Sequence, residues 1–193
     1  MTSPAVESTA SAPSESSANA GRIALLGNPN TGKTTLFNRL CGVRARTANF
    51  PGSTVEARVG TLVRNERRYE LVDLPGVYGL NLDLPESQLC RDCIEGRIGS
   101  CRPDAMLIVL DATNLPRNLQ FAATALRRGV PAVIALNMVD RATRQGLSID
   151  VDRLAARLGV PVVAISARSG SGVPELVDAL SRATASSAEL PAR

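Results

Sequence analysis

The stretch Gly27-Asn28-Pro29-Asn30-Thr31-Gly32-Lys33-Thr34 follows a short apolar run and precedes a segment with the apolar face of a helix. It matches the pattern G-x-x-x-x-G-K-[ST], the P-loop, whose glycines let the backbone wrap closely around phosphate groups. Backbone N–H groups then meet the phosphates, Lys33 reaches the β and γ phosphates, and Thr34 binds Mg²⁺. The alternative is a chance glycine-rich turn, which the order strand, loop and helix disfavours. The predicted nucleotide contacts in this segment are Asn28, Pro29, Asn30, Thr31, Gly32, Lys33, Thr34 and Thr35.

The use of lysine singles out one position in this loop. Lys33 is the only lysine among 22 basic residues, and all the others are arginine. A chain that otherwise avoids lysine therefore retains it where an ammonium group is needed. We predict a catalytic as well as a binding role for Lys33.

A second motif, Asp73-Leu74-Pro75-Gly76, follows an apolar run that ends at Val72. Asp73 is then placed to act as the Walker B carboxylate near magnesium, and Gly76 can present its N–H to the γ phosphate. Alone, such a tetrapeptide is more often a turn. Its position about forty residues after the P-loop favours the Walker B interpretation over a simple turn.

The segment Asn49-Phe50-Pro51-Gly52-Ser53-Thr54 lies between these two motifs and suits a mobile switch loop, since it is polar and contains Gly and Pro. Gly52 and Ser53 are predicted nucleotide contacts. Thr54 is a predicted catalytic residue and Mg²⁺ ligand, beside Thr34 and Asp73. Alternatively, Thr54 simply opens the next strand.

The choice of base is indicated by Asn137-Met138-Val139-Asp140, which matches the N-[KM]-x-D pattern of GTPases. Asp140 can accept from the N1–H and 2-amino groups of guanine, whereas adenine would leave this carboxylate unpaired. Met138 can cover one face of the base. Alternatively, Asn137 and Asp140 only cap a turn. Ser166-Ala167 is expected to direct a backbone N–H to guanine O6.

Apolar runs alternate along the chain with segments of helical periodicity. Residues 22–26, 69–72, 105–110, 132–136 and 162–165 are predicted to be buried strands. The helical segments carry Leu115, Leu119, Ala122 and Leu126 between Asn114 and Gly129, Leu154 and Leu158 between Asp150 and Gly159, and Val173, Leu176, Val177 and Leu180. This order predicts a three-layer α/β fold, a mostly parallel six-stranded sheet with helices on both faces. Ligands bind beyond the carboxyl ends of such strands, where the motifs fall.

Length and composition predict one globular domain, residues 21–183, with a disordered tail at 1–20 and a tail or linker at 184–193. The longest apolar run, residues 105–110, is too short to cross a bilayer, so we expect this chain to be soluble. The net charge of +4 is scattered and aromatic residues make up only 3%, so nucleic acid is not an expected partner.

Four cysteines without an export signal indicate reduced thiols and the cytoplasm. Cys90, Cys93 and Cys101 lack the fourth ligand that a closed zinc site requires. We expect them on the helix and loop that follow Gly76. Redox sensing is an alternative.

The motifs together resemble the translation-factor-like branch of the small GTPases. Five stretches are similar to the G domain of FeoB, the bacterial ferrous iron transport protein B: Gly27 to Thr34 with its Asn-Pro-Asn core, Asn49-Phe50-Pro51-Gly52 before Thr54, Asp73-Leu74-Pro75-Gly76 with Tyr78, Asp111-Ala112-Thr113-Asn114-Leu115 with Arg117-Asn118-Leu119, and Leu136-Asn137-Met138-Val139-Asp140. The stretch from Asp111 to Leu119 is the most telling, because nucleotide binding does not demand it.

The resemblance implies a P-loop GTPase that binds GTP or GDP with Mg²⁺, at the cytoplasmic face of the bacterial inner membrane. Its implied role is to regulate or energise Fe²⁺ uptake. The implied partner is a transmembrane iron-permease region of the same or another chain, and a homo-oligomer is a further option.

The mechanism depends on a residue that is missing. Val77 stands where Ras-like enzymes carry a Gln that orients water, so we expect slow intrinsic hydrolysis. The resemblance suggests K⁺ as the substitute, with Asn30 as its ligand and as a catalytic residue. Alternatively, Asn30 only stabilises the loop. Two other functions stay open: a nucleotide-responsive binding module without turnover, and a ribosome-assembly GTPase.

Overall fold

The computed structural model describes residues 19–42, 45–49, 55–98 and 102–188. In chain order the elements are β1 Asn19–Gly27, α1 Lys33–Cys41, β2 Arg46–Asn49, β3 Glu56–Arg64, β4 Arg67–Asp73, α2 Pro85–Ile94, β5 Ala105–Asp111, a 3₁₀ turn Ala112–Asn114, α3 Leu115–Leu126, β6 Ala132–Asn137, α4 Val139–Arg144, α5 Val151–Leu158, β7 Val162–Ala164 and α6 Val173–Ala188.

The strands form one sheet in the order β2-β3-β4-β1-β5-β6-β7. The β2–β3 and β3–β4 pairs are antiparallel, and the other four pairs are parallel. The predicted fold class is confirmed, but the strand number is seven rather than six. Neither β2 nor β3 matches one of the five predicted strand ranges. Strand β2, Arg-Thr-Ala-Asn, contains no apolar run, and polar residues interrupt the apolar ones in β3, Glu-Ala-Arg-Val-Gly-Thr-Leu-Val-Arg.

Helices cover both faces of the sheet, because the central strands are apolar on both sides. Along β5, Met106, Ile108 and Leu110 belong to one core, and Ala105, Leu107 and Val109 belong to the other. The first core contains residues of α2 and α3, and the second contains residues of α1 and α6. Strand β1, which leads into the P-loop, is buried on both faces in the same way, because Ala24 and Leu26 belong to the first core and Ile23 and Leu25 to the second.

The ends of α5 follow their local signals, whereas Asn114, the predicted cap of α3, precedes that helix without a side-chain cap hydrogen bond. Asp150 caps α5, since its carboxylate accepts a hydrogen bond from Arg153 N at 2.9 Å. Gly159 ends the same helix in the left-handed region, with φ +70°. The buried face of α3 differs from the prediction, because it is made by Asn118, Phe121, Ala122 and Ala125, while the predicted leucines are only partly buried.

Two boundaries also differ from the expectation. Strand β7 ends at Ala164 and is only half-buried, because it lies at the edge of the sheet. Helix α6 continues to Ala188, and Thr184 on it is buried, so the packed part of the chain extends beyond residue 183. Within the described part of the chain, no helix has the length and apolar character needed to span a membrane.

Candidate nucleotide site

The P-loop connects β1 with α1 at the carboxyl edge of the parallel strands. Asn30 and Gly32 have positive φ angles of +66° and +82°. A Cβ atom on Gly32 would lie 2.3 Å from Asn137 Nδ2, and one on Gly27 would lie 2.7 Å from the Val109 carbonyl oxygen. Close packing against these neighbours therefore requires glycine at both positions.

The loop encloses a cavity of about 340 Å³. Its lining comprises seven of the predicted P-loop contacts and the predicted switch glycine: Asn28, Pro29, Asn30, Gly32, Lys33, Thr34, Thr35 and Gly76. The predicted contact Thr31 is buried and does not belong to this lining, and its hydroxyl donates to the Asn28 carbonyl oxygen at 3.0 Å. The cavity is thus a ring of backbone and hydroxyl groups around one ammonium, which is a suitable cradle for phosphates.

Lys33 is 9% exposed and makes two contacts across the base of this cavity. Its Nζ forms an ion pair with the carboxylate of Asp73 and donates to the Leu74 carbonyl oxygen at 2.5 Å. The structure therefore joins the P-loop lysine directly to the predicted Walker B carboxylate. A phosphate bound in the cavity would compete with Asp73 for this ammonium.

The predicted Mg²⁺ ligands have suitable chemistry, because Mg²⁺ prefers hard oxygen donors. Asp73 supplies a buried carboxylate and Thr34 supplies a hydroxyl at the cavity wall. The third predicted ligand, Thr54, lies outside the described residues, as do the predicted contacts Gly52 and Ser53. Asn30 is exposed at the cavity, so its amide oxygen is available to a cation such as K⁺.

A second cavity of about 270 Å³ adjoins the first, and both are lined by Gly32 and Thr35. Its other lining residues are Asn137, Met138, Asp140, Arg141, Arg144, Ser166, Ala167 and Arg168. All five residues predicted to recognise guanine therefore lie around one pocket. Met138, the N-cap residue that precedes α4, has the left-handed conformation, with φ +63°.

Asp140 is exposed in this pocket and forms an ion pair with Arg144. Arg144, one helical turn later, donates to the Asp140 carboxylate at 3.1 Å. Such an exposed pair contributes little to stability. One edge of the carboxylate is therefore held by Arg144 while the group remains open to a ligand.

Asn137, only 2% exposed, ties three segments together. Its Nδ2 donates to the Thr31 carbonyl oxygen at 2.8 Å, and its Oδ1 accepts from Ala167 N at 2.9 Å. The Ser166-Ala167 turn is predicted to direct a backbone N–H to guanine O6, and that contact stays a prediction. In this structure that N–H of Ala167 is already bonded to Asn137.

The segment after Asp73 places Val77 in the core rather than at the phosphates. Val77 is 4% exposed, and its N–H donates to the Gly27 carbonyl oxygen at 3.2 Å. The next residue, Tyr78, is exposed, and the guanidinium of Arg117 lies over its ring at 4.1 Å from the centroid. A buried valine cannot orient water at the γ phosphate.

The stretch from Asp111 to Leu119 builds the start of α3 beside the P-loop. The Asp111 carboxylate accepts from Thr113 N at 2.8 Å, and Asn118 bridges Asp111 N and the Asn114 carbonyl oxygen. A third cavity, about 190 Å³, lies between this segment, Tyr78 and the P-loop. The sequence did not predict this cavity. The signal that could have indicated it is the stretch from Asp111 to Leu119, which nucleotide binding does not demand.

The cysteines of α2 lie under the segment that contains Gly76. Cys90 Sγ donates to the Pro75 carbonyl oxygen at 3.6 Å. Burial raises the pKa of Cys90 to about 12 and that of Cys93 to about 11. Since thiol reactivity requires thiolate, neither residue has the character of a redox sensor. Among the described residues no group of three or more His, Cys, Asp or Glu could hold a metal, and Cys101 is not described.

Comparison with known sequences gives a consistent assignment. The sequence model of the family "Ferrous iron transport protein B" matches residues 21–180. The Fe(2+) transporter FeoB of Salmonella typhimurium is 43% identical over 160 residues, which are 83% of this chain and 21% of that protein. The fusion protein of Fe(2+) transport protein A and FeoB from Porphyromonas gingivalis is 42% identical over 159 residues, 82% of this chain and 18% of that one.

Solved structures give the same result. A mutant of NFeoB from S. thermophilus bound to GDP superposes with a TM-score of 0.79 at 44% identity, covering 89% of this chain and 65% of that one. The FeoB G-domain of Methanococcus jannaschii gives a TM-score of 0.75 at 38% identity, with 86% and 99% covered. The chain spans about a fifth of the length of the curated relatives it matches. It belongs to the ferrous iron transport protein B family and corresponds to the N-terminal G domain of that family.

Proposed function

We propose that this chain binds guanine nucleotide and hydrolyses GTP. The observation that carries the proposal is the adjacency of two cavities, one lined by the P-loop and one by Asp140, which share Gly32 and Thr35. A nucleotide with its phosphates in the first and its base in the second would contact both motifs at once. GDP-bound structures of similar chains support the same occupant.

In this proposal the phosphates are held by backbone N–H groups of the P-loop and by the ammonium of Lys33. The ammonium gives up its ion pair with Asp73 to contact the phosphates. Asp140 accepts from the N1–H and 2-amino groups of guanine. Gly76 presents its N–H to the γ phosphate. Thr34, Asp73 and Thr54 would hold Mg²⁺, and Asn30 would hold K⁺; bound there, these cations would neutralise charge on the phosphate oxygens.

Val77 sets the expected rate. Because the side chain is buried, intrinsic hydrolysis is proposed to be slow and to depend on a cation at Asn30. The same observation favours a second candidate function, a nucleotide-responsive binding module that does not turn GTP over.

The role in the cell is proposed from the relatives, which are Fe(2+) transporters. We propose that this domain works at the cytoplasmic face of the bacterial inner membrane. There, its nucleotide state would regulate or energise ferrous iron uptake by a transmembrane region of the same or another chain.

The test is GTP turnover by the purified chain with Mg²⁺, in KCl and in NaCl at equal ionic strength. The proposal predicts at least tenfold faster turnover in KCl, lost in Asn30→Ala, while nucleotide binding and turnover are both lost in Asp140→Ala. Equal and near-zero rates in both salts, with nucleotide bound, would favour the binding module.

A further inference from the structure

Arg39 lies in the last turn of α1 and reaches across to the loop between β7 and α6. Its Nε donates to the carbonyl oxygen of Ala167 at 2.6 Å, and its Nη2 donates to that of Arg168 at 2.6 Å. The planar guanidinium thus binds two successive carbonyls of one loop. Arg39 lines neither the phosphate cavity nor the base cavity, so it acts on the loop from outside.

The loop is shaped to receive this side chain. Gly170 has φ +95°, and a Cβ atom there would lie 2.8 Å from Arg39 Nη1. The turn is closed by hydrogen bonds from Gly170 N to the Ser166 carbonyl oxygen at 2.8 Å and from Ser166 N to the Ser171 carbonyl oxygen at 3.0 Å. These internal bonds leave the Ala167 and Arg168 carbonyls to Arg39.

Ala167 is consequently held on both sides. Its N–H is bonded to Asn137 Oδ1, and its carbonyl oxygen is bonded to Arg39 Nε. Asn137 also holds the P-loop at Thr31, while Arg39 belongs to the helix that begins at Lys33. The Ala167 turn is therefore connected to the P-loop and α1 through two separate side chains, Asn137 and Arg39.

We propose that Arg39 is a positioning residue for guanine, a proposal that rests on guanine nucleotide binding itself. The Ala167 N–H must pass from Asn137 to guanine O6 when the base binds. Arg39 keeps the peptide in place during this exchange, because it fixes the carbonyl side of the same residue. Its loss would leave the N–H free to turn away from O6.

The experiment compares the wild-type chain with Arg39→Ala, Arg39→Lys and Arg64→Ala. Arg64 is the control arginine, since it joins strand β3 to helix α6 through Asp178 at 2.9 Å, away from the two carbonyls that Arg39 binds. Inhibition constants are measured by displacement of a fluorescent GDP analogue. The competitors are GDP, inosine diphosphate, which keeps O6 and the N1–H but lacks the 2-amino group, and the 2-aminopurine riboside diphosphate, which keeps the 2-amino group but lacks both O6 and the N1–H.

We expect Arg39→Ala to bind GDP and inosine diphosphate about tenfold more weakly, which corresponds to the loss of roughly one hydrogen bond. Binding of the 2-aminopurine nucleotide should weaken by less than twofold, because this base makes no O6 contact that Arg39 could support. The GDP affinity of Arg39→Lys should lie between those of the wild type and Arg39→Ala, since an ammonium can still donate to the carbonyls. If Arg39→Ala does not fold, Arg39→Lys alone tests the proposal. Arg64→Ala should match the wild type.

Two results would overturn the proposal: unchanged GDP affinity in both Arg39 variants, or an equal loss for all three nucleotides, which would indicate a purely structural role. If the wild-type chain binds no GDP, the function proposed above fails together with this inference. Wild-type binding with unaffected Arg39 variants would overturn this inference alone.

Discussion

Lys33 is buried, and its ammonium fits between the Asp73 carboxylate and the Leu74 carbonyl oxygen. A guanidinium is larger and planar, and it cannot occupy this space as a point charge. We therefore predict that Lys33→Arg binds GDP at least 100-fold more weakly, although the charge is kept. Arg39→Lys, which makes the reverse exchange six residues later, provides the comparison in the same titration. Near-normal affinity of Lys33→Arg would show that charge alone is sufficient.

Asn137 provides a second test at the level of one side chain. Asn137→Ala would leave the Thr31 carbonyl oxygen and the Ala167 N–H without their buried partner. We predict a loss of about 1–3 kcal/mol in the free energy of unfolding, measured by urea denaturation. The matched control is Gln120→Ala, which removes an exposed amide from α3 and should change stability by less than about 0.5 kcal/mol. Equal stability of the two variants would contradict the bridging role.

Among single residues, the glycines and Lys33 were predictable, because the P-loop pattern states which conformation and charge each position needs. Three contacts were not predictable: the two hydrogen bonds of Asn137, the Lys33–Asp73 ion pair, and the hydrogen bonds of Arg39 to the loop between β7 and α6. Each joins residues far apart in the sequence, and no local pattern encodes such a contact.

At the level of helices, α5 depends on its cap, because none of its residues is fully buried. Asp150→Ala removes the acceptor for Arg153 N, and we predict a loss of about 1 kcal/mol in the free energy of unfolding. Asp152→Ala in the same first turn removes an equal charge without removing a cap, so it should cost less than half as much. Equal losses would mean that charge near the helix end, rather than the cap, stabilises α5.

The strands show where sequence patterns succeed and fail. Strands β1, β5 and β6 each contain a continuous apolar run, since both faces of a central parallel strand are buried. Strand β2 is polar and pairs only with β3 at the sheet edge, so an apolar pattern cannot detect it. The motif residues lie together for the same topological reason, because the carboxyl ends of parallel strands meet at one edge.

At the scale of the whole molecule, the described part of the chain contains three buried thiols whose ionisation opposes folding. Burial raises the pKa of Cys41 from 9.0 to about 11, of Cys90 to about 12 and of Cys93 to about 11. Above pH 9 the unfolded chain releases these protons while the folded chain retains them, so the free energy of unfolding falls as the pH rises.

We predict this fall in urea denaturation between pH 8 and pH 10 in the presence of reductant. Its slope should reach at most about 1.4 kcal/mol per pH unit for each thiol. Cys90→Ala should show a shallower slope, whatever its stability at pH 8. A stability that is constant or increases over this interval would contradict the burial of the thiols.

The most direct measurement of guanine recognition is calorimetric titration of GDP, ADP and xanthosine diphosphate into the wild-type chain and into Asp140→Asn. The wild type should bind GDP at least about 100-fold more tightly than either of the others. Asp140→Asn should prefer xanthosine diphosphate, because an amide N–H can donate to the 2-oxo group of xanthine. Equal affinity of the wild-type chain for GDP and ADP would contradict the assignment of its pocket to guanine.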